Sequence, residues 1–215
     1  LTTKPKEKNR INIIPPITLP EEYQYDHYAN WASKGRLIEY NFRDLFKRTN
    51  KKWFDTFGWY LFKELQGSQR YAVYHLYSLG EDKEESFKSL LKTMNLVLSE
   101  SINSEELKKL QYKYPKDSKG IRKLTVVLES NGYIKSLLIN FLLKLNTMRS
   151  EFTDSHINSS DMSDHLKEAL GFIGLSLETK NYKEASINLF NKGIEAFNFF
   201  NGIIDNLTLN TTMAK

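Results

Sequence analysis

Arg149 and His156 stand seven residues apart in the segment Leu145-Asn-Thr-Met-Arg149-Ser-Glu-Phe-Thr-Asp154-Ser-His156. Seven residues is close to two helical turns, so a continuous helix would put both side chains on one stripe, about 10 Å apart along the axis. A guanidinium can hold a phosphate in fork geometry, and an imidazole can move a proton at neutral pH. Together they make a minimal kit for cutting a phosphodiester. Asp154, two residues before His156, is placed to orient the imidazole, although a solvated carboxylate is the plainer role. The plainer reading of the pair itself is a surface arginine and a helix-end histidine facing the last carbonyls. Spacing cannot choose between these, because Arg70-Tyr-Ala-Val-Tyr-His75 is a second pair of the same kind.

The charge distribution offers this pair a polyanionic substrate. The chain carries a formal net charge of +5, and its cations gather in three places: Lys4 to Arg10, Lys34 to Lys52, and Lys113 to Lys123. In the last cluster Lys116, Lys119, Arg122 and Lys123 are candidates for RNA phosphate contacts near Arg149, against the simpler reading of a charged loop. Other chemistries are excluded or unsupported. The absence of cysteine rules out disulfides, thiol catalysis and every cysteine-containing zinc site. His27, His75 and His165 show no metal-ligand spacing, and Asp161 with His165 reads as a capping turn, so neither a metal nor a cofactor is expected. No apolar run approaches a membrane span and the N-terminal residues lack an apolar signal region, which points to a cytoplasmic protein without membrane contact. The chain does not begin with methionine, which suits a processed protein or a piece of a longer one.

The elements that must position these groups are helical. Four of the five prolines lie in the first 20 residues (Pro5, Pro15, Pro16, Pro20), which marks residues 1–20 as an extended basic arm. A first helix is expected over Glu21 to Ser33. Ile38, Phe42, Leu45, Phe46, Trp53, Phe57, Tyr60 and Leu61 keep helical spacing between Arg36 and Leu65, with a break near Thr49-Asn50. The aromatics of this stretch read as core residues rather than as a stacking surface for single strands. Further helices are expected over Glu84 to Ser101, from Ser104 to a stop at Pro115, and over Ile121 to Ser130, where a hairpin turning at Asn131-Gly132 is the alternative. The last of these is capped by Asp117 or Ser118 and closed by Gly132. Ile134, Leu137, Leu138, Phe141, Leu142, Leu145, Met148 and Phe152 then define one apolar face of a long helix. Two more follow, with Leu166, Ala169, Leu170, Ile173 and Leu177 on the first. The second, Tyr182 to Asp205, has an apolar face wide enough for a central core helix or a partner contact. The fold class is all-α, as an arm (1–20), a helical region (21–112) and a bundle (113–215), or as one continuous domain over 21–215.

The helix from Tyr133 to His156, with its ending Leu-Asn-Thr-Met-Arg-Ser-Glu-Phe-Thr-Asp-Ser-His, resembles the signature helix of the HEPN superfamily. The likeness is greatest to the C-terminal domains of bacterial abortive-infection proteins and covers roughly residues 117–205. It implies a HEPN-like four-helix unit and a metal-independent ribonuclease of a bacterial or phage-defence system, toxin-like in action. In such an enzyme His156 acts on the ribose 2′-hydroxyl or the leaving group and Arg149 stabilises the phosphate. Ser150 takes the place of the polar residue that follows the arginine, and Ile157 stands where a glycine often follows the histidine. The site is composite, built from two copies of the motif across a homodimer, with RNA as substrate and an antitoxin or regulatory protein as a further partner. The competing readings are a non-catalytic helical interaction or sensor module of a larger defence protein, and a helical nucleic-acid binder without chemistry.

Overall fold

The computed structural model describes residues 37–153 and 162–209. The expected arm over 1–20 and the helix over 21–33 lie outside the described residues. The protein is an all-α helical bundle: α1 (Leu37–Phe57), α2 (Glu84–Asn95), α3 (Ser104–Lys109), α4 (Gly120–Ser130), α5 (Leu137–Thr147), α6 (Asp164–Phe172) and α7 (Tyr182–Ile203). A 3-10 segment (Gly67–His75) joins α1 to α2, and a short one (Ile204–Asn206) follows α7. Two helices end in a widened π turn, α2 at Leu96–Glu100 and α5 at Met148–Phe152. An isolated β-bridge joins Phe62 to Ile102.

α7 is the central helix, as its wide apolar face allows. Leu189, Phe190, Ala196, Phe197 and Phe200 are buried along it, and one hydrophobic cluster extends from Phe42 to Leu207. The aromatics of α1 turn into this cluster. Phe42 meets Phe190 and Phe197 edge-on at centroid distances of 5.4 and 5.9 Å, and Trp53 stacks on Phe200 at 5.8 Å. These rings are core residues, as their spacing predicts. Tyr60, expected on the same apolar face, is instead exposed because the helix ends at Phe57, and it stacks on the exposed Phe54 at 4.5 Å.

The expected break at Thr49-Asn50 does not occur. Asn50 remains inside α1 because its carboxamide finds a backbone partner elsewhere: Nδ2 donates to the Phe62 carbonyl at 2.9 Å, and Oδ1 accepts from the Phe62 N–H at 3.0 Å. That double bond to an extended segment places Leu61 and Phe62 in the core without a helix around them. The helix instead stops at Gly58, whose φ of 80° suits only a residue without Cβ.

Other boundaries differ in instructive ways. α3 ends at Lys109 rather than at Pro115, because Leu110 turns its backbone extended and buries its side chain. α4 begins after Lys119, and neither Asp117 nor Ser118 caps it; the Ser118 hydroxyl donates to the Pro115 carbonyl instead. Gly132 does close α4, with φ 84° and its N–H on the Glu129 carbonyl, while the Tyr133 N–H reaches Leu128. Ile134 and Leu137 are not on the buried face; they are 73% and 40% exposed, since the helix starts only at Leu137. Leu138, Phe141, Leu142, Leu145, Met148 and Phe152 are buried as expected.

At Gly193 a methyl group would lie 2.6 Å from Phe42 Cε2 and 3.2 Å from Phe141 Cζ. Both rings are locked in the core, so Gly193→Ala forces the helices apart, and overpacking of this kind costs about 1–3 kcal/mol. The expected outcome is a lower urea midpoint with an unchanged slope.

Candidate functional site

The π turn at the end of α5 carries Arg149 and Ser150. Arg149 is half-buried, and its carbonyl accepts from the Thr153 hydroxyl. Ser150 is exposed, and its Oγ donates to the Thr147 carbonyl at 3.2 Å, a bond that keeps it turned back on its own helix. Asp154 and His156 lie outside the described residues. So does Asp161, the expected partner of His165. The cap of α6 is Ser163, whose Oγ accepts from the Leu166 N–H at 3.0 Å and donates to the Glu151 carboxylate. This second bond ties the start of α6 to the π turn.

A buried cluster fixes the turn from below. Phe152 contacts Phe87 and Tyr182 at centroid distances of 6.1 and 6.5 Å. The Lys88 ammonium lies over the Phe152 ring at 5.4 Å and pairs with Glu84 at 2.8 Å. Glu84 also accepts from the Tyr182 hydroxyl at 3.2 Å. The hydrogen bond from Lys88 holds the Glu84 carboxyl below its ordinary value against the opposing effect of burial. Burial, with the neighbouring carboxylate, pushes the Tyr182 phenol up to about 12. α2 and α7 thus fix the residue three places after Arg149.

Above the turn runs an open groove of about 1550 Å³ between α4 and α5, floored by the π turn of α2. It brings Arg149 together with three of the four basic candidates, Lys119, Arg122 and Lys123, while Lys116 is exposed and lies outside it. Lys123 is 8% exposed, with its Nζ on the Ser104 Oγ and carbonyl at 2.7 and 3.2 Å. Its charge is therefore committed to holding α3 against α4, and it is a poor phosphate ligand. Lys63 and Lys135 complete the cations of the groove, and Glu100, Glu105, Asp117 and Glu129 are interspersed among them. Sequence reading did not single out Lys63 or Lys135; only their place beside the groove marks them.

The floor is polar in an unusual way. Asn95, 2% exposed, donates through Nδ2 to the Glu100 carboxylate at 3.1 Å, bridging the ends of the π turn, and its Oδ1 has no partner within the protein. The same holds for Ser99 Oγ and Ser136 Oγ, and all three residues line the groove. Polar groups removed from water are nearly always paired; these three lie just beneath the groove surface, and Arg43, Thr49, Trp53 and Asn201 carry further unpaired side-chain atoms away from it. π turns are themselves frequent at functional sites, and this groove has one in its floor and one at its Arg149 end.

The second arginine and histidine pair does not share one pocket. Arg70 lies over the Tyr71 ring at 4.5 Å and lines a separate pocket of about 330 Å³ beside Phe46 and Phe62, and His75 is exposed at the far end of the 3-10 segment. Among the described residues no group of His, Asp and Glu could hold a metal, and no helix is long and apolar enough to cross a membrane.

The Glu84 contact makes a pH prediction. A carboxyl held below its ordinary value of 4.5 stabilises the fold above that value and loses the contribution as pH falls below it. Tm measured from pH 6 down to pH 3 should therefore fall less steeply in Glu84→Gln than in the wild type. The phenol raised to about 12 contributes below pH 10, and that contribution is lost between 10 and 12, a limb absent in Tyr182→Phe. Comparison of the chain with protein-family models, with curated proteins and with solved structures gives no match.

Proposed function

We propose that this protein is a metal-independent RNA endonuclease of the HEPN type, acting in bacterial or phage defence as a homodimer with Arg149 and His156 at a composite site. The observation that carries the reading is the groove, which joins Arg149 to Lys119 and Arg122 on one continuous, partly cationic surface. A strand whose phosphates follow these side chains passes over Arg149, and His156 follows Thr153 by three residues in the chain.

The chemistry is a transesterification. One imidazole takes the proton of the ribose 2′-hydroxyl, the 2′-oxygen attacks the adjacent phosphorus, and the bond to the 5′-oxygen breaks. The leaving oxygen takes a proton from the imidazolium of the second copy, giving a 2′,3′-cyclic phosphate and a 5′-hydroxyl. Arg149 suits the charge on the equatorial oxygens of the phosphorane, and two copies supply base and acid separately. Asp154 orients the imidazole in this scheme, while the Ser150 hydroxyl stays on the Thr147 carbonyl.

A second reading has its own support. Ile134, Leu137 and Leu143 are 73%, 40% and 50% exposed along the same groove, an aliphatic lip suited to an amphipathic partner helix. This reading makes the protein a non-catalytic interaction module that binds a regulatory protein.

Replacing His156 by alanine is expected to lower cleavage of a labelled single-stranded RNA by about 10²–10⁴-fold. Arg149→Ala should do the same, with Tm close to wild type in both. Products ending in a cyclic phosphate are expected from mass spectrometry. Cleavage unchanged in both variants sinks the nuclease reading and leaves the interaction module.

A further inference from the structure

The end of the groove opposite Arg149 is the N-terminus of α5, and it carries features that the proposed chemistry does not use. Ser136 is the N-cap residue, yet its side chain makes no capping hydrogen bond. A serine at this position ordinarily spends its hydroxyl on an amide of the first turn. Here Ser136 is 3% exposed and its Oγ has no partner within the protein. The first bond of the helix runs from the Asn140 N–H to the Ser136 carbonyl at 3.0 Å, so the amides of Leu137, Leu138 and Ile139 have no partner in the helix itself. Uncapped amides at the positive end of an 11-residue helix, with an unspent hydroxyl among them, suit an anion. Lys135, exposed and next in the chain, adds an ammonium.

Resting on the RNA reading above, we propose that the N-terminus of α5 is a phosphate subsite, made by Ser136, Lys135 and the first-turn amides. It anchors the RNA strand at the end of the groove away from Arg149. The two ends are about 20 Å apart by helix geometry, so the strand between them spans a few nucleotides. What lies between suits the RNA strand of that reading. Asn95 Oδ1, fixed as the outstanding atom because Nδ2 serves Glu100, needs a donor, and Ser99 Oγ is unpaired beside it on the same floor. Ribose hydroxyls and base amino groups supply donors between the phosphates of one strand.

The test uses the full chain and two probes, inorganic phosphate and a fluorescent single-stranded RNA. Ser136→Asp places a carboxylate where the phosphate sits. The expected result is a Tm raised by about 2–4 °C through capping and dipole effects. The rise in Tm that phosphate gives the wild type at constant ionic strength should vanish. RNA affinity is expected to fall at least tenfold. Lys135→Glu, on the surface and independent of the cap, should also weaken RNA binding, and Lys135→Ala should reduce the slope of log K against log salt by about one. Wild-type RNA affinity in both Ser136→Asp and Lys135→Glu overturns the subsite, as does displacement of the RNA by poly-glutamate at matched charge concentration. The two proposals fail separately. If Arg149→Ala and His156→Ala leave cleavage unchanged while Ser136→Asp still weakens binding, the subsite stands and the nuclease falls; Arg149-dependent cleavage with unaltered binding in the α5 variants gives the reverse.

Discussion

The seat of α5, one wall of the groove, depends on the close approach of three helices at Gly193. There α7 has no side chain, Phe42 of α1 fills the space from one side, and Phe141 of α5 reaches in from another. The contact is narrow enough that a single methyl group does not fit, which fixes the depth at which α5 sits against the central helix. Edge-on ring contacts of Phe42 with Phe190 and Phe197 then set the rotation of α1. Core packing is close to crystalline density, so displacement of one helix is passed to its neighbours rather than absorbed. α5 buries Leu138, Phe141, Leu142 and Leu145 and must present its opposite stripe outward, where Leu143 is half exposed. The groove wall is that stripe.

The two π turns give the groove its chemical character. A regular α-helix bonds each carbonyl four residues on and presents an even surface; a π turn widens the ring and shifts the side chains that follow. In α2 the shift lets Asn95 reach Glu100 across five residues and leaves its carbonyl oxygen unspent in the floor. In α5 it carries Arg149 to the edge of the groove while Phe152, three residues on, stays in the core under Lys88. A buried ring beneath a half-buried arginine is a rigid support, because side chains within a packed aromatic cluster lose most of their rotational freedom. Positioning of Arg149 thus draws on α2, α6 and α7, through Lys88, the Glu151 bond to Ser163, and Tyr182.

The buried face was legible in the sequence wherever apolar periodicity was strong, as over Leu138 to Phe152 and along α7, although the change to a π turn at Met148 was not. That signal reports which side of a helix is buried and carries nothing about partners distant in sequence. Asn50 reads as a break because a lone carboxamide inside a helix competes with the backbone, and its actual partner is 12 residues away. Ile134 extends the apolar period by chance into a loop. The basic cluster at 113–123 was visible as composition, yet composition cannot tell Lys123, buried on Ser104, from Lys119 and Arg122 at the groove, or from Lys116 outside it. Ser136, Asn95 and Ser99 gave no signal at all, since an unpaired polar atom exists only once the fold has removed it from water. The Arg149 motif was legible as a pattern, and the groove beside it was not.

The mixture of charges along the groove sets what it can hold. A uniformly basic channel would grip any polyanion, with affinity dominated by counterion release and little discrimination. Here four carboxylates stand among six cations, so attraction is local rather than general. Lys123 keeps its charge but turns its ammonium donors to Ser104, away from direct contact with a ligand. A ligand held by such a surface must place its own charges in register with Lys119, Arg122 and Arg149 and keep them away from Glu100 and Glu129. It must also offer hydrogen-bonding groups to the floor. A flexible single strand, with phosphates at regular intervals and hydroxyls and base edges between them, meets those demands better than a stiff duplex, whose grooves and backbone spacing are fixed in advance.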